Sequence, residues 1–139
     1  MKTPVPENYV FDSFALLAYL EDEAGATRIE ALLEQARKET TQIWMSVVNL
    51  GEVLYIIERK QGLPQSRQVL AAIEQLPLIF VEVDRGLALS AAHIKATFPL
   101  AYADAFAIAL AQQKNACVVT GDKEFEQVES LIAVEWLSR

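Results

Sequence analysis

Short, almost continuously apolar runs alternate with longer segments of helical periodicity, and this alternation restricts the fold of the chain more than any other feature. The runs IWM, LIFV and CVV carry no charge and are too short to form helices. Strands of this kind are typical of a parallel sheet that is buried on both faces. The order of the segments therefore predicts an α/β fold with three α/β/α layers, in which helices cover both faces of a central parallel sheet of about five strands.

Hydrophobic spacing, capping residues and prolines give the bounds of the predicted elements. The predicted strands are 9–11, 42–46, 78–83, 116–120 and 131–137. The predicted helices are 13–20, 26–38, 46–62, 64–76, 85–98, 100–114 and 122–128. The sequence contains no repeat and no long linker, and 139 residues are the length of one domain. We therefore expect residues 1–139 to form a single domain.

The chain is acidic, with a net charge of −7. This charge argues against binding of nucleic acid through a broad basic surface. It leaves room for a basic protein partner, and for an enzyme that meets a phosphodiester through metal ions. The sequence has no signal-peptide pattern and no apolar run of about 20 residues that could cross a bilayer. We therefore expect a cytoplasmic protein with no membrane partner.

Asp104 is the most unusual charged residue of the chain. It lies in the segment AYADAFAIALA and is the only charged residue between Lys95 and Lys114. A helix that is apolar all round is normally buried, and a buried carboxylate is costly unless it is paired, hydrogen-bonded or bound to a metal. The alternative is a first-turn acid that is stabilised by the helix dipole, an effect of only about 0.3–1 kcal/mol.

Three further carboxylates occupy comparable positions. Asp12 and Asp122 each follow a predicted strand, where ligands bind in parallel sheets, although both could simply cap the helices that follow them. Glu52 lies on or beside the buried face of its predicted helix, with Asn49 one turn earlier. Its alternative is a partly exposed position at the edge of that face.

A parallel sheet could bring these four acids to one edge. Packed carboxylates repel one another, and a divalent cation removes that repulsion. Oxygen ligands favour Mg²⁺ or Mn²⁺. A zinc site of cysteines and histidines is excluded, because the chain has one cysteine and one histidine. The single cysteine, Cys117, lies in an apolar run and is expected to be buried and unreactive.

Four segments in this order, VFDSFALLAYL, SVVNLGEVLYIIER, PLAYADAFAIALA and CVVTGDKEF, resemble the PIN-domain ribonucleases, and in particular the VapC-type toxins of toxin–antitoxin systems. The resemblance extends from about residue 9 to residue 136. It implies an endoribonuclease that depends on Mg²⁺ or Mn²⁺, and a homodimer that is held by an antitoxin protein.

The resemblance also implies which residues form the site. Asp12, Glu52, Asp104 and Asp122 match the acids that are catalytic and hold the metal in this family. The positions that match the supporting polar residues are Ser13, Asn49 and Thr120. The chain departs from the family at Ala101, where similar proteins usually carry Ser or Thr, and this departure is expected to weaken the helix cap.

Hydrolysis by a metal-activated water needs no side-chain nucleophile, so the lack of a histidine pair is no obstacle. We expect His93 to be structural or exposed, since nothing places it near a reacting proton. RNA would contact the metal or scattered basic residues. The candidates are Lys2, Arg59, Lys60, Arg85 and Lys95.

Three other functions are compatible with part of this pattern. A housekeeping RNA-processing nuclease would share the fold and the site but have no antitoxin. A non-catalytic binding module would not need all four acids. A phosphatase with an Asp nucleophile would need a second Asp two residues after Asp12, which the stretch FDSFA does not contain.

Overall fold

The computed structural model describes residues 8–137 of the chain. Its five strands are β1 (Asn8–Phe11), β2 (Gln42–Ser46), β3 (Ile79–Val81), β4 (Cys117–Thr120) and β5 (Val134–Trp136). Its six α-helices are α1 (Ser13–Leu20), α2 (Ala26–Arg37), α3 (Val47–Gln61), α4 (Leu63–Ile73), α5 (Arg85–Thr97) and α6 (Tyr102–Lys114), and a 3₁₀ helix spans Lys123–Val128. The predicted α/β class and the five-stranded parallel sheet are confirmed.

The strands pair in the order β3-β2-β1-β4-β5, and every pair is parallel. The register places Val10 of β1 beside Trp44 of β2 on one side and Val118 of β4 on the other. Chain order reverses across β1, because the chain runs outward through β2 and β3 and then returns to β4. In open α/β sheets such a reversal opens a crevice at the carboxyl ends of the strands, here after Phe11 and Thr120.

Two apolar cores lie on opposite faces of the sheet. On one face, α5 and α6 pack over Val10 and Val118. On the other face, the helices α1 to α4 pack over Phe11, Met45 and Val119. Alternate residues of β1 and β4 therefore serve different cores, which is why the runs YVF and CVV are apolar at every position. Helix α6 is buried without interruption from Asp104 to Ala111.

The largest differences from the predicted helix and strand bounds concern four elements. Helix α4 ends at Ile73 rather than at residue 76, and the chain continues in tight turns in which the amides of Gln75 and Leu76 donate to the carbonyls of Ala72 and Ile73. Strands β3 and β5 have three residues each and are shorter than predicted. The segment after β4 forms a 3₁₀ helix rather than an α-helix.

Two predictions about individual segments can be compared with the described residues. Cys117 is 8% exposed, and burial raises the pKa of its thiol to about 11, so it is a buried thiol that stays protonated at neutral pH, as expected. Within residues 8–137, no single helix is long and apolar enough to cross a membrane. Helices α5 and α6 meet that length and composition only as a pair, and they are bent by 120° at the break.

Candidate metal centre

Asp12 lies at the carboxyl end of β1 and is 1% exposed. Its Oδ1 accepts a hydrogen bond from the amide of Ala15 at 2.8 Å and so caps α1. Its Oδ2 accepts a hydrogen bond from the hydroxyl of Thr120 at 2.5 Å. Burial raises the pKa of Asp12 to about 7, although both hydrogen bonds lower it. The capping role that the sequence left open is therefore present, and it accounts for only one of the two carboxylate oxygens.

The end of β4 connects Asp12 to Asp122. Thr120 is fully buried, and while its hydroxyl donates to Asp12 it accepts a hydrogen bond from the amide of Asp122 at 3.0 Å. The side chain of Asp122 caps the 3₁₀ helix by accepting from the amide of Glu124 at 2.9 Å. Thr120 thus fixes the two aspartates relative to each other across two neighbouring strands.

Asp104 lies in the first turn of α6 and is 7% exposed. Its pKa is raised to about 8, first by burial and then by the charges of Asp122, Asp12, Glu52 and Glu124. The helix dipole alone offsets little of such a cost. The structure therefore shows a buried acid that faces other acids and whose charged form needs a positive partner.

One group of three carboxylates is compact enough to hold a single cation. Carboxylate oxygens of Asp104, Asp122 and Glu124 all lie within 4.8 Å of one another. This group does not include Asp12 or Glu52, but both are close enough to raise the pKa of Asp104. An all-oxygen donor set of this kind suits a hard divalent cation such as Mg²⁺ or Mn²⁺. The residues present therefore fit the metal that the sequence led us to expect.

Asn49 and Ser13 hold the helices that frame this group of acids. Asn49 is fully buried, and its Nδ2 donates to the Ser13 hydroxyl at 3.2 Å and to the Ala103 carbonyl at 3.1 Å. The Ser13 hydroxyl in turn donates to the backbone carbonyl of Asn49 at 3.3 Å. Because Ala103 directly precedes Asp104, these bonds connect α1 and α3 to the first turn of α6. Both side chains support the helices that carry the acids.

The other three predicted acids, Asp12, Glu52 and Asp122, all lie close enough to Asp104 for their charges to raise its pKa. Glu52 is half-buried on α3, which agrees with the partly exposed position that the sequence left open. The sequence did not lead us to Glu124, which lies two residues after Asp122. An acid at that position is common in the first turn of a helix. Only the short 3₁₀ turn places the carboxylate of Glu124 beside those of Asp104 and Asp122.

The cap of α6 is weak, as expected from the sequence. Its N-cap residue is Ala101, whose backbone has the extended conformation of an N-cap (φ −66°, ψ 147°) but whose side chain offers no hydrogen bond. The first amides of α6 therefore have no side-chain acceptor at this position.

The basic residues that we considered for RNA contact are dispersed. Lys2 lies outside the described residues. Arg59 lies over the ring of Tyr55, 5.1 Å from its centroid, and Lys60 pairs with Glu21 at 3.8 Å. Arg85 begins α5.

Two other candidates from the sequence lie on the α5 side of the molecule. Lys95 donates to the carbonyl of Leu100 at 2.6 Å, which ties α5 to the connection before α6. His93 is exposed and borders a cavity of about 540 Å³ beside Leu89 and Leu131. It belongs to no cluster of metal-ligating side chains among the described residues.

Comparison with known families gives one match, which spans most of the chain. Residues 9–131 match the family model of the PIN domain. A search by sequence finds no curated protein that matches.

Solved structures share this fold at low sequence identity. The chain is similar to one in VapBC2 from Rickettsia felis bound to a promoter DNA fragment, with a TM-score of 0.73, 14% identity, and coverage of 94% of this chain and 99% of that one. It is also similar to a chain in DNA-bound VapBC from Salmonella typhimurium, with a TM-score of 0.70, 18% identity, and coverage of 92% of this chain and 96% of that one. A third similar structure is that of Mycobacterium tuberculosis VapC20, described as a sarcin-ricin loop cleaving toxin. Its TM-score is 0.64 at 18% identity, with coverage of 86% of this chain and 94% of that one. At these identities the likeness establishes the fold.

Proposed function

This chain belongs to the PIN domain family, and on that premise we propose that it is an endoribonuclease that hydrolyses RNA phosphodiester bonds with Mg²⁺ or Mn²⁺ as cofactor. The observation that carries the proposal is the group of carboxylates around Asp104 at the carboxyl ends of β1 and β4. Their mutual repulsion is costly without a cation, and the crevice at this strand reversal is where ligands bind in such sheets.

We assign the metal to Asp12, Asp104, Asp122 and Glu52, and we add Glu124 because of its place in the compact group. When bound, Mg²⁺ or Mn²⁺ lowers the pKa of a coordinated water and neutralises charge on the phosphodiester.

The protein's own groups prepare this site for a cation. Thr120 and the amide of Ala15 fix both oxygens of Asp12, and Asn49 and Ser13 hold the turn that carries Asp104. Asp12 and Asp104, with pKa values of about 7 and about 8, retain protons near neutral pH until a positive charge displaces them. A fixed cluster of carboxylates loses little conformational entropy when it binds its ligand.

We further propose that the nuclease is the toxin of a toxin–antitoxin pair, a homodimer located in the cytoplasm. The structures to which it is similar include VapBC complexes, and its net charge of −7 suits a basic partner. An antitoxin segment that places an Arg or Lys beside Asp104 and Asp122 would neutralise the site and displace the metal.

The test of nuclease activity compares the wild type with Asp104→Asn. Each protein, purified without antitoxin, is incubated with structured RNA in Mg²⁺, in Mn²⁺ and in EDTA. We expect the wild type to cut only with metal and the folded variant not to cut. A wild type that cuts equally well in EDTA would contradict metal dependence, and one that never cuts would favour the binding-module alternative.

The test of the toxin role is expression in cells. We expect the wild type to arrest growth, Asp104→Asn not to, and co-expression of the product of a short neighbouring reading frame to restore growth. A protein that cleaves RNA when purified but leaves growth unaffected when expressed would instead support a housekeeping role in RNA processing.

A further inference from the structure

Phe14 presents an aromatic ring to solvent within the framework of the acid site. It is the second residue of α1, two positions after Asp12, and is 38% exposed. Its neighbours on the helix, Ser13 and Ala15, are both buried. Single exposed apolar side chains are common on protein surfaces, so the exposure of Phe14 is informative only because of where its ring lies.

The ring of Phe14 lies against the backbone of Gly121. A Cβ atom at position 121 would be 2.4 Å from Cε1 and 2.6 Å from Cζ of Phe14, well inside van der Waals contact. Gly121 separates Thr120, which holds Asp12, from Asp122, which belongs to the compact group of acids. A glycine at 121 therefore allows the ring to lie against the turn that connects Thr120 to Asp122.

An acidic nuclease needs a source of affinity other than charge. The net charge of −7 and the dispersed basic residues give little attraction for a phosphate backbone. Stacking of a nucleobase on an aromatic ring supplies affinity without charge, and it requires a base that is free of its own helical stack.

We propose that Phe14 is a specificity-determining residue that stacks on an unpaired base next to the phosphate held at the acid site. This inference rests on the proposed nuclease function. It assigns the choice of unpaired over duplex RNA to one ring rather than to basic side chains.

The experiment compares a variant of Phe14 that loses the aromatic ring with variants that keep one. Phe14→Leu preserves an apolar cover over Gly121 and removes the aromatic face, whereas Phe14→Tyr and Phe14→Trp retain that face. Leu89→Ala removes a side chain that is 60% exposed on α5 and serves as the control for loss of exposed apolar surface. Thermal melts identify any variant that is not folded.

Two measurements are made on each variant. The first is kcat and KM for cleavage of a labelled RNA hairpin. The second is the Kd, in the presence of Mg²⁺, for a fluorescent single-stranded RNA with a cleavage-resistant phosphorothioate backbone and for its duplex.

We expect Phe14→Leu to raise KM and the single-strand Kd about tenfold, with little change in kcat and in the duplex Kd. The two aromatic variants and Leu89→Ala should remain within about twofold of their parent protein. A folded Phe14→Leu protein with parental KM and Kd, beside an active wild type, would overturn the inference and leave the nuclease function intact. A wild type that neither cuts nor binds RNA would overturn both.

Discussion

Because the pKa values of two buried acids are raised in the folded state, the metal-free protein should become less stable as the pH rises. Asp12 and Asp104 have folded-state pKa values of about 7 and about 8, above the ordinary value of 3.8. Between these limits the folded state holds two protons that the unfolded chain has released. The free energy of unfolding therefore decreases with pH in this window, and the contribution of these groups is most favourable below about pH 4.

The size of the effect follows from the proton count. Each proton held only by the folded state changes the free energy of unfolding by about 1.4 kcal/mol per pH unit. From about pH 5 to about pH 7 the two acids together would lower it by about 5 kcal/mol, which is comparable with the whole stability of many domains. Asp104→Asn removes one titrating group, and because its side chain retains some solvent contact we take its share as about 2 kcal/mol.

Urea unfolding in EDTA at several pH values measures this effect. The wild type should lose stability from about pH 5 to about pH 7, and Asp104→Asn should lose about 2 kcal/mol less over the same range. Glu58→Gln, which removes an exposed carboxylate of α3, is the matched control and should run parallel to the wild type. Parallel curves for wild type and Asp104→Asn, or a wild type that gains stability across this range, would refute the reasoning.

Three further substitutions test the supports of the site. Asn49→Ala removes two hydrogen bonds and leaves the part-buried carbonyl of Ala103 without this donor, so denaturant melts should show a loss of about 1–3 kcal/mol together with reduced RNA cleavage. Thr120→Val removes the donor to Asp12, and the pKa of Asp12 should rise further, which NMR titration of the carboxyl carbon would detect. Ala101→Ser supplies the missing cap of α6 and should raise stability by about 0.5–1 kcal/mol in thermal melts, and an unchanged or lower Tm would contradict the assignment of the cap.

The sequence predicts most of the fold because hydrophobic patterning acts locally. The runs IWM and CVV are apolar at every position since both faces of their strands are covered, and this distinguishes them from half-exposed strands. Ends of elements depend on weaker local terms. Helix α4 gives way to tight turns three residues before the hydrophobic pattern indicates, and the short pairing of β5 with β4 follows from tertiary contacts that no local pattern encodes.

The site was less accessible to sequence reasoning, because proximity across elements decides it. Asp104 is conspicuous as the only charged residue between Lys95 and Lys114, and its burial agrees with that signal. Glu124 gives no comparable signal, because its role depends on a 3₁₀ turn that brings its carboxylate toward α6. The bond from Asn49 to the carbonyl of Ala103 spans 54 residues of sequence, so only the folded structure reveals it.

Binding of Mn²⁺ tests the account most directly, because every proposal here depends on a cation among these carboxylates. The electron paramagnetic resonance signal of free Mn²⁺ can be followed while wild-type or Asp104→Asn protein, freed of antitoxin, is added near pH 8. We predict that the signal of free Mn²⁺ disappears as wild-type protein is added in excess over the ion. We predict that most of the signal remains when the folded variant is added instead. Equal loss of signal for both proteins, or no loss for either, would contradict a metal centre at Asp104.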